Sequence, residues 1–267
     1  MAPVRIALGI SYSGTAYEGW QSQLSGRTVQ DKLELALSKF AVQPVRVMCA
    51  GRTDAGVHAL MQVAHFDAPV LRETASWVRG TNTFLPADIA VQWAHPVPDE
   101  FHSRASAIMR RYAYVVLESP VRPSVEAGRV GWVYRPLDGS AMRRAAVDLI
   151  GQHDFSSFRA AQCQAKSPVK TMKRVEISQR NGANSRYWRF EFEANAFLHH
   201  MIRNIMGCLL AIGQGVQPST WLAEVMAARR RDAAAATFSP DGLYFLGPVY
   251  DTRYGLPVRT AAYDWLP

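Results

Sequence analysis

Between Glu193 and Glu224 the chain carries a single formal charge, Arg203. A stretch that long with one charge reads as core, whatever fold surrounds it. Phe197 to Gly207 opens an apolar helix, and Ile202, Ile205, Met206, Leu209 and Leu210 share its buried face. Arg203 either turns to solvent beside that face or finds a carboxylate, because a buried cation left unpaired costs about 3–5 kcal/mol. Asp54 is the candidate partner. His199 and His200 are adjacent, face different ways and make a poor metal pair.

Asp54 sits in the run Cys49-Ala50-Gly51-Arg52-Thr53-Asp54-Ala55-Gly56-Val57-His58-Ala59, after a short β-like segment at Val45-Arg46-Val47-Met48. Gly51 and Gly56 bracket its polar core and allow tight turns or a close approach. The composition alone suits a solvated turn. A loop that closes a strand also holds a carboxylate on a rigid base, as catalysis requires.

The 267 residues suffice for two modest domains or one large one, and 48% hydrophobic residues support a substantial core. A formal net charge of +8 favours a polyanionic partner, nucleic acid or an anionic membrane. No run of about 18 apolar residues predicts a transmembrane helix, and Met1 to Tyr12 alternates instead of forming a signal-peptide block. Cys49, Cys163 and Cys208 are far apart and form no C-x-x-C pair, so neither a zinc site nor a disulfide framework is indicated. Together these point to the cytoplasm. Glycine-rich phosphate loops do not occur, so a nucleotide cofactor is not indicated.

Val4, Ile6, Leu8, Ile10 and Tyr12 alternate with Arg5, Ala7, Gly9 and Ser11, the period of a half-buried strand. Ser13 to Gln21 is a glycine-punctuated loop whose Tyr17 and Trp20 are expected over the sheet edge. Thr28 to Asp31 starts a helix, with Val29, Leu33, Ala36, Leu37 and Phe40 on one face. Strands follow at Val45–Met48, Gln62–Phe66 and Ile89–Trp93, with a helix over Arg72–Val78. This order predicts a sheet with helices on one face. Arg110-Arg111-Tyr112-Ala113-Tyr114 enters another strand with Tyr112 and Tyr114 on the same face. That face is either core or a surface for RNA phosphates and unstacked bases. Ser119 to Arg135 connects the halves. Ser140–Ile150 reads as a helix, with Met142, Ala145, Ala146 and Leu149 inward. His153 to Phe158 reads as a buried-aromatic turn with local Asx and Ser hydrogen bonds. Lys166, Lys170, Lys173 and Arg174 form a basic cluster. A hairpin turns at Asn181-Gly182-Ala183-Asn184, and in its return strand Trp188, Phe190, Phe192 and Ala194 alternate with charge. A last helix spans Thr220–Arg231, where Arg229-Arg230-Arg231 suits the C-terminal dipole and phosphate. Pro240-Asp241-Gly242 turns into a final strand at Leu243–Leu246.

The string Gly51 to His58 resembles the signature of the TruA family of tRNA pseudouridine synthases. Gly19-Trp20-Gln21, Arg110 to Tyr114, Asp154 to Phe158, Met201 to Gly207 and Gly242-Leu243-Tyr244 extend the resemblance in order from end to end. It implies an α+β fold of two related α/β domains with mainly antiparallel sheets and an active-site cleft between them. Residues 1–105 would carry the Asp54 loop and residues 106–267 would carry Arg203. The implied reaction is isomerisation of uridine to pseudouridine at positions 38, 39 and 40 of the tRNA anticodon stem-loop, by a homodimer whose two subunits both touch tRNA, without cofactor or metal. Asp54 would be the nucleophile, attacking C1′ or C6. Arg203 would keep it ionised, and Tyr112 would stack on the flipped uracil. Arg52 would fill the space the uridine leaves. Arg110, Arg111, His58 and Asn204 would join substrate binding, with Leu243 and Tyr244 walling the base pocket.

Two rivals remain. A non-catalytic RNA-binding protein would use the same basic surface without needing Asp54. An aspartyl hydrolase would use Thr53-Asp54-Ala55-Gly56, but it needs a second such carboxylate and the chain holds no second copy.

Overall fold

The computed structural model describes residues 4–182 and 185–257. In chain order its elements are β1 (Val4–Tyr12), α1 (Val29–Ala41), β2 (Met48–Cys49), β3 (His58–Ala68), α2 (Thr74–Phe84), β4 (Ile89–Pro96), β5 (Ala107–Glu118), β6 (Gly131–Val133), α3 (Gly139–Ala146), β7 (Gly151–Asp154), β8 (Val169–Asn181), β9 (Arg186–Ala194), α4 (Met201–Gly213), α5 (Trp221–Ala228) and β10 (Leu243–Tyr250). They form two compact units. One runs through Arg110 and resumes at Tyr244; the other is built from Arg111–Leu243. Each is a mainly antiparallel sheet with helices, the α+β class expected.

In the first unit the strand order is β4-β1-β3-β10, with β2 beside β3. β1 is antiparallel to β3 and β4, and β10 lies parallel to β3 through Tyr244↔His58 and Phe245↔Ala59. The alternation in β1 predicts one buried face, yet every residue from Ile6 to Ile10 is buried. The small residues Ala7 and Gly9 mark a second covered face. Ala7 packs with Ala50, Val63, Val97, Phe101 and Tyr254, and a Cβ on Gly9 would collide with the Trp93 indole. α1 starts where its sequence says, with Thr28 Oγ1 accepting from the Asp31 amide at 3.2 Å. Val29, Leu33, Ala36 and Leu37 are buried and Phe40 is half-buried. The strand expected over Val45–Met48 shrinks to Met48–Cys49. Here the Glu34 carboxylate, and not a neighbouring strand, accepts from the Val47 amide at 3.0 Å. The helix expected over Arg72–Val78 starts at Thr74 and continues to Phe84.

In the second unit the order is β5-β9-β8-β7, with β6 parallel to β5. Trp188, Phe190, Phe192 and Ala194 are buried while their neighbours are not, as a half-buried strand demands. Of the turn at Asn181-Gly182-Ala183-Asn184, Ala183 and Asn184 lie outside the described residues. Met142, Ala145, Ala146 and Leu149 point inward as expected. At Asp154 to Phe158 the Asp154 carboxylate accepts from the Ser156 amide at 2.9 Å, and Phe155 and Phe158 are fully buried. Ile202, Ile205, Met206, Leu209 and Leu210 form the buried face of α4. The helix expected to reach Arg231 ends at Ala228. Arg229 adopts a left-handed φ of 51° and caps the helix through its amide to the Met226 carbonyl. Among the described residues no helix is long and apolar enough to cross a membrane.

Candidate active site

The Asp54 loop is clamped through its backbone. The Trp20 amide donates to the Thr53 carbonyl at 3.0 Å and the Gly56 amide to the Tyr17 carbonyl at 3.3 Å. Within the loop the Val57 amide donates to the Asp54 carbonyl at 3.2 Å. At its start, Gln62 Nε2 donates to the Gly51 carbonyl at 2.6 Å. At its end, the Gly14 amide donates to His58 Nδ1 at 3.1 Å. The Tyr12 hydroxyl and Thr53 Oγ1 share a hydrogen bond of 2.8 Å, and burial pushes the Tyr12 phenol up from its ordinary range. Glycines make these approaches possible. A Cβ on Gly14 would sit deep inside contact with the Val57 carbonyl, and one on Gly19 would lie 2.6 Å from the Thr53 carbonyl oxygen. Gly56 itself turns the chain at φ 80°.

This frame leaves Asp54 half-buried and Arg52 exposed. His58 is only 3% exposed and its ring stacks on Tyr244 at 4.6 Å and 21°. It props the end of the loop from inside the unit. Arg110 folds back on its own chain, donating to the Ala107 and Arg104 carbonyls at 3.0 and 2.5 Å.

In the second unit Arg111 is half-buried within β5. Tyr112 is 9% exposed and meets Phe197 edge-on at 5.1 Å; Tyr114 is fully buried, 5.6 Å from Phe238. Of the two descriptions open to this tyrosine face, Tyr114 takes core packing, while Tyr112 keeps a small exposed area beside Phe197. Leu243 is 4% exposed and follows Gly242, whose φ of 82° brings it against the Val115 carbonyl. Arg203 is half-buried. Its Nε donates to the Phe238 carbonyl at 2.9 Å, and the Phe238 amide donates to the Arg203 carbonyl at 3.1 Å. Asn204 is fully buried. Its Nδ2 donates to the Phe158 carbonyl at 2.8 Å, and its Oδ1 accepts from Thr237 Oγ1 at 2.7 Å and Arg231 Nη2 at 3.1 Å.

The first unit therefore gathers Asp54, Arg52 and His58, and the second gathers Arg203 and Asn204. Sequence reading missed Arg231, Thr237 and Phe238 beside them. Arg231 was visible only as the end of a basic run, and no periodicity marks Thr237. The Lys166–Arg174 cluster is less basic than its sequence: Lys173 pairs with Glu193 at 3.1 Å, and Arg174 pairs with Glu176.

A family model described as tRNA pseudouridine synthase matches residues 9–104 and 145–251. A tRNA pseudouridine synthase A of Polaromonas naphthalenivorans (strain CJ2) is 87% identical over 264 residues, covering 99% of this chain and 100% of that protein. That of Polaromonas sp. (strain JS666 / ATCC BAA-500) is 78% identical over the same shares. That of Paracidovorax citrulli (strain AAC00-1) is 67% identical, again over 99% of this chain and 100% of the relative.

Proposed function

This chain belongs to the tRNA pseudouridine synthase family, and on that premise we propose that it isomerises uridine at positions 38, 39 and 40 of the anticodon stem-loop, with Asp54 as the nucleophile. The observation that carries the assignment is the Asp54 loop: a half-buried carboxylate on a backbone held by hydrogen bonds from both flanks. Such a frame fixes a nucleophile's position before substrate arrives.

Uridine and pseudouridine are isomers. The N1–C1′ bond breaks, the C5–C1′ bond forms, C5 loses its proton and N1 gains one. The balance needs no oxidant, reductant or group donor. An ionised carboxylate serves by attacking C1′ of the ribose or C6 of the base. Arg203 is the cation that complements the carboxylate and orients it. Tyr112 stacks on the uracil; a phenol with an ordinary pKa of about 10 is a poor base near neutrality, so stacking is its main task. The exposed Arg52 fills the gap left by the extruded uridine. Arg110 and Arg111 serve the RNA backbone, Leu243 lines the base pocket, and His58 and Asn204 shape the site from within. The enzyme works in the cytoplasm as a homodimer.

The test is tritium release from tRNA carrying [5-³H]uridine. Wild type releases tritium, and Asp54→Asn releases none while still binding tRNA. Well-folded wild type that releases none from any tRNA would establish the RNA-binding alternative. Equal release by both proteins would remove Asp54 from the centre of the reaction.

A further inference from the structure

We infer that residues 231–238 form a strap that orients Arg203, and that Thr237 and Arg231 are positioning residues for the reaction. This rests on the role of Arg203 proposed above.

The strap lies along one face of α4. Arg203, Asn204, Gly207 and Cys208 recur at helical spacing, and each meets it. The Ala235 amide donates to Cys208 Sγ at 3.3 Å. Gly207 lies directly beneath Ala236, where a Cβ would strike the Ala236 carbonyl oxygen. Thr237 and Arg231 both donate to Asn204 Oδ1, and Arg231 also reaches Thr237 Oγ1 at 3.1 Å. A third Arg231 bond, 3.3 Å to the Ala234 carbonyl, closes the strap on itself.

At its end the Phe238 carbonyl accepts from Arg203 Nε. A guanidinium is planar and rigid, so fixing the direction of Nε–H fixes the plane that carries its other donors. Where the Phe238 carbonyl sits therefore decides where Arg203 aims. The Phe238 position is set from both sides: its amide returns to the Arg203 carbonyl, and its ring packs against Tyr114. The buried amide of Asn204 is the anchor. It is also held by Phe158, so it cannot turn without giving up its bonds to Thr237 and Arg231 as well. Asn204 thus acts on the chemistry through its neighbour in sequence.

The test is Thr237→Val, which keeps the shape and removes the hydroxyl. Steady-state tritium release should show kcat down roughly tenfold with KM for tRNA within about twofold. Thr237→Ser should restore kcat. Arg231→Lys, which keeps charge but not the fork, should repeat the loss. Combined with Arg203→Lys, Thr237→Val should add little, since both would act through one group. Wild-type kcat in Thr237→Val, even with a lower melting temperature, would overturn the strap. So would full additivity with Arg203→Lys. Should Thr237→Val fail to fold, the kcat and KM of Arg231→Lys decide by the same criteria. Asp54→Asn in the same assay separates the two levels: if it keeps wild-type release, the underlying assignment has failed whatever the strap variants do.

Discussion

Asp54 and Arg203 are both half-buried charged residues, yet the chain fixes them by different means. The Asp54 loop is held mainly by main-chain amides and carbonyls, with glycines where flanking segments come close. The strap at Arg203 is held by side chains, with Thr237 and Arg231 bonded to each other and to the buried Asn204. A backbone-held loop should tolerate changes in its own exposed side chains and fail when a methyl is added to a glycine. A side-chain lattice should fail by truncation.

The largest effect should come from Gly14→Ala. Its Cβ would meet the Val57 backbone, which cannot rotate away. We expect a loss of about 3 kcal/mol in urea unfolding, with the midpoint lowered and the slope unchanged. An unchanged midpoint would mean the loop is not clamped there. Gly207→Ala should cost less. Alanine gains about 1 kcal/mol in a helix interior, against a clash with the Ala236 carbonyl of about 2–3 kcal/mol. The net loss should be about 1–2 kcal/mol, and kcat should fall as it does in Thr237→Val.

A smaller, pH-dependent effect belongs to the first unit alone. Burial pushes the His65 imidazole down from 6.5 to about 4, with His102 and Arg5 acting in the same direction and Asp67 opposing. The Ser103 amide donates to its Nδ1 at 3.2 Å, which requires that nitrogen to be unprotonated. Between these values the unfolded chain binds a proton that the folded chain does not. Stability should therefore fall as pH drops from about 6.5 towards 4. Urea midpoints across that window should show the slope, and His65→Gln should flatten it. A slope unaltered in the variant would assign it to other groups. The smallest effect on folding should be that of Arg52→Ala, within about 0.5 kcal/mol. Its tRNA affinity should nevertheless fall, with a log–log salt slope shallower by roughly 1. A large stability loss would show that the loop depends on its side chains after all.

Sequence patterns disclosed elements wherever period and burial coincide. The alternation of β9, the apolar face of α4 and the Thr28 cap all appear as expected. They disclosed less where a distant group substitutes for a neighbour. Glu34 replaces a strand at Val47, and the second covered face of β1 depends on Phe101 and Tyr254, far away in the chain. The site divides in the same way. Asp54 and Arg203 stand out because charge beside glycine or inside an apolar run is locally odd. Thr237 and Arg231 do not stand out, because their importance lies in a shared hydrogen-bond acceptor that only the folded chain brings to them.

The return of β10 to the first unit has a consequence for how the protein is made. The Asp54 loop belongs to the N-terminal part of the chain, but Tyr244, on which His58 stacks, arrives only after the whole second unit. A ribosome emits the loop early and its backing strand late. A chain released before Tyr244 lacks the stacking partner that steadies the end of the Asp54 loop. Completing translation is thus a condition for completing the frame around Asp54, which an abortive product would lack.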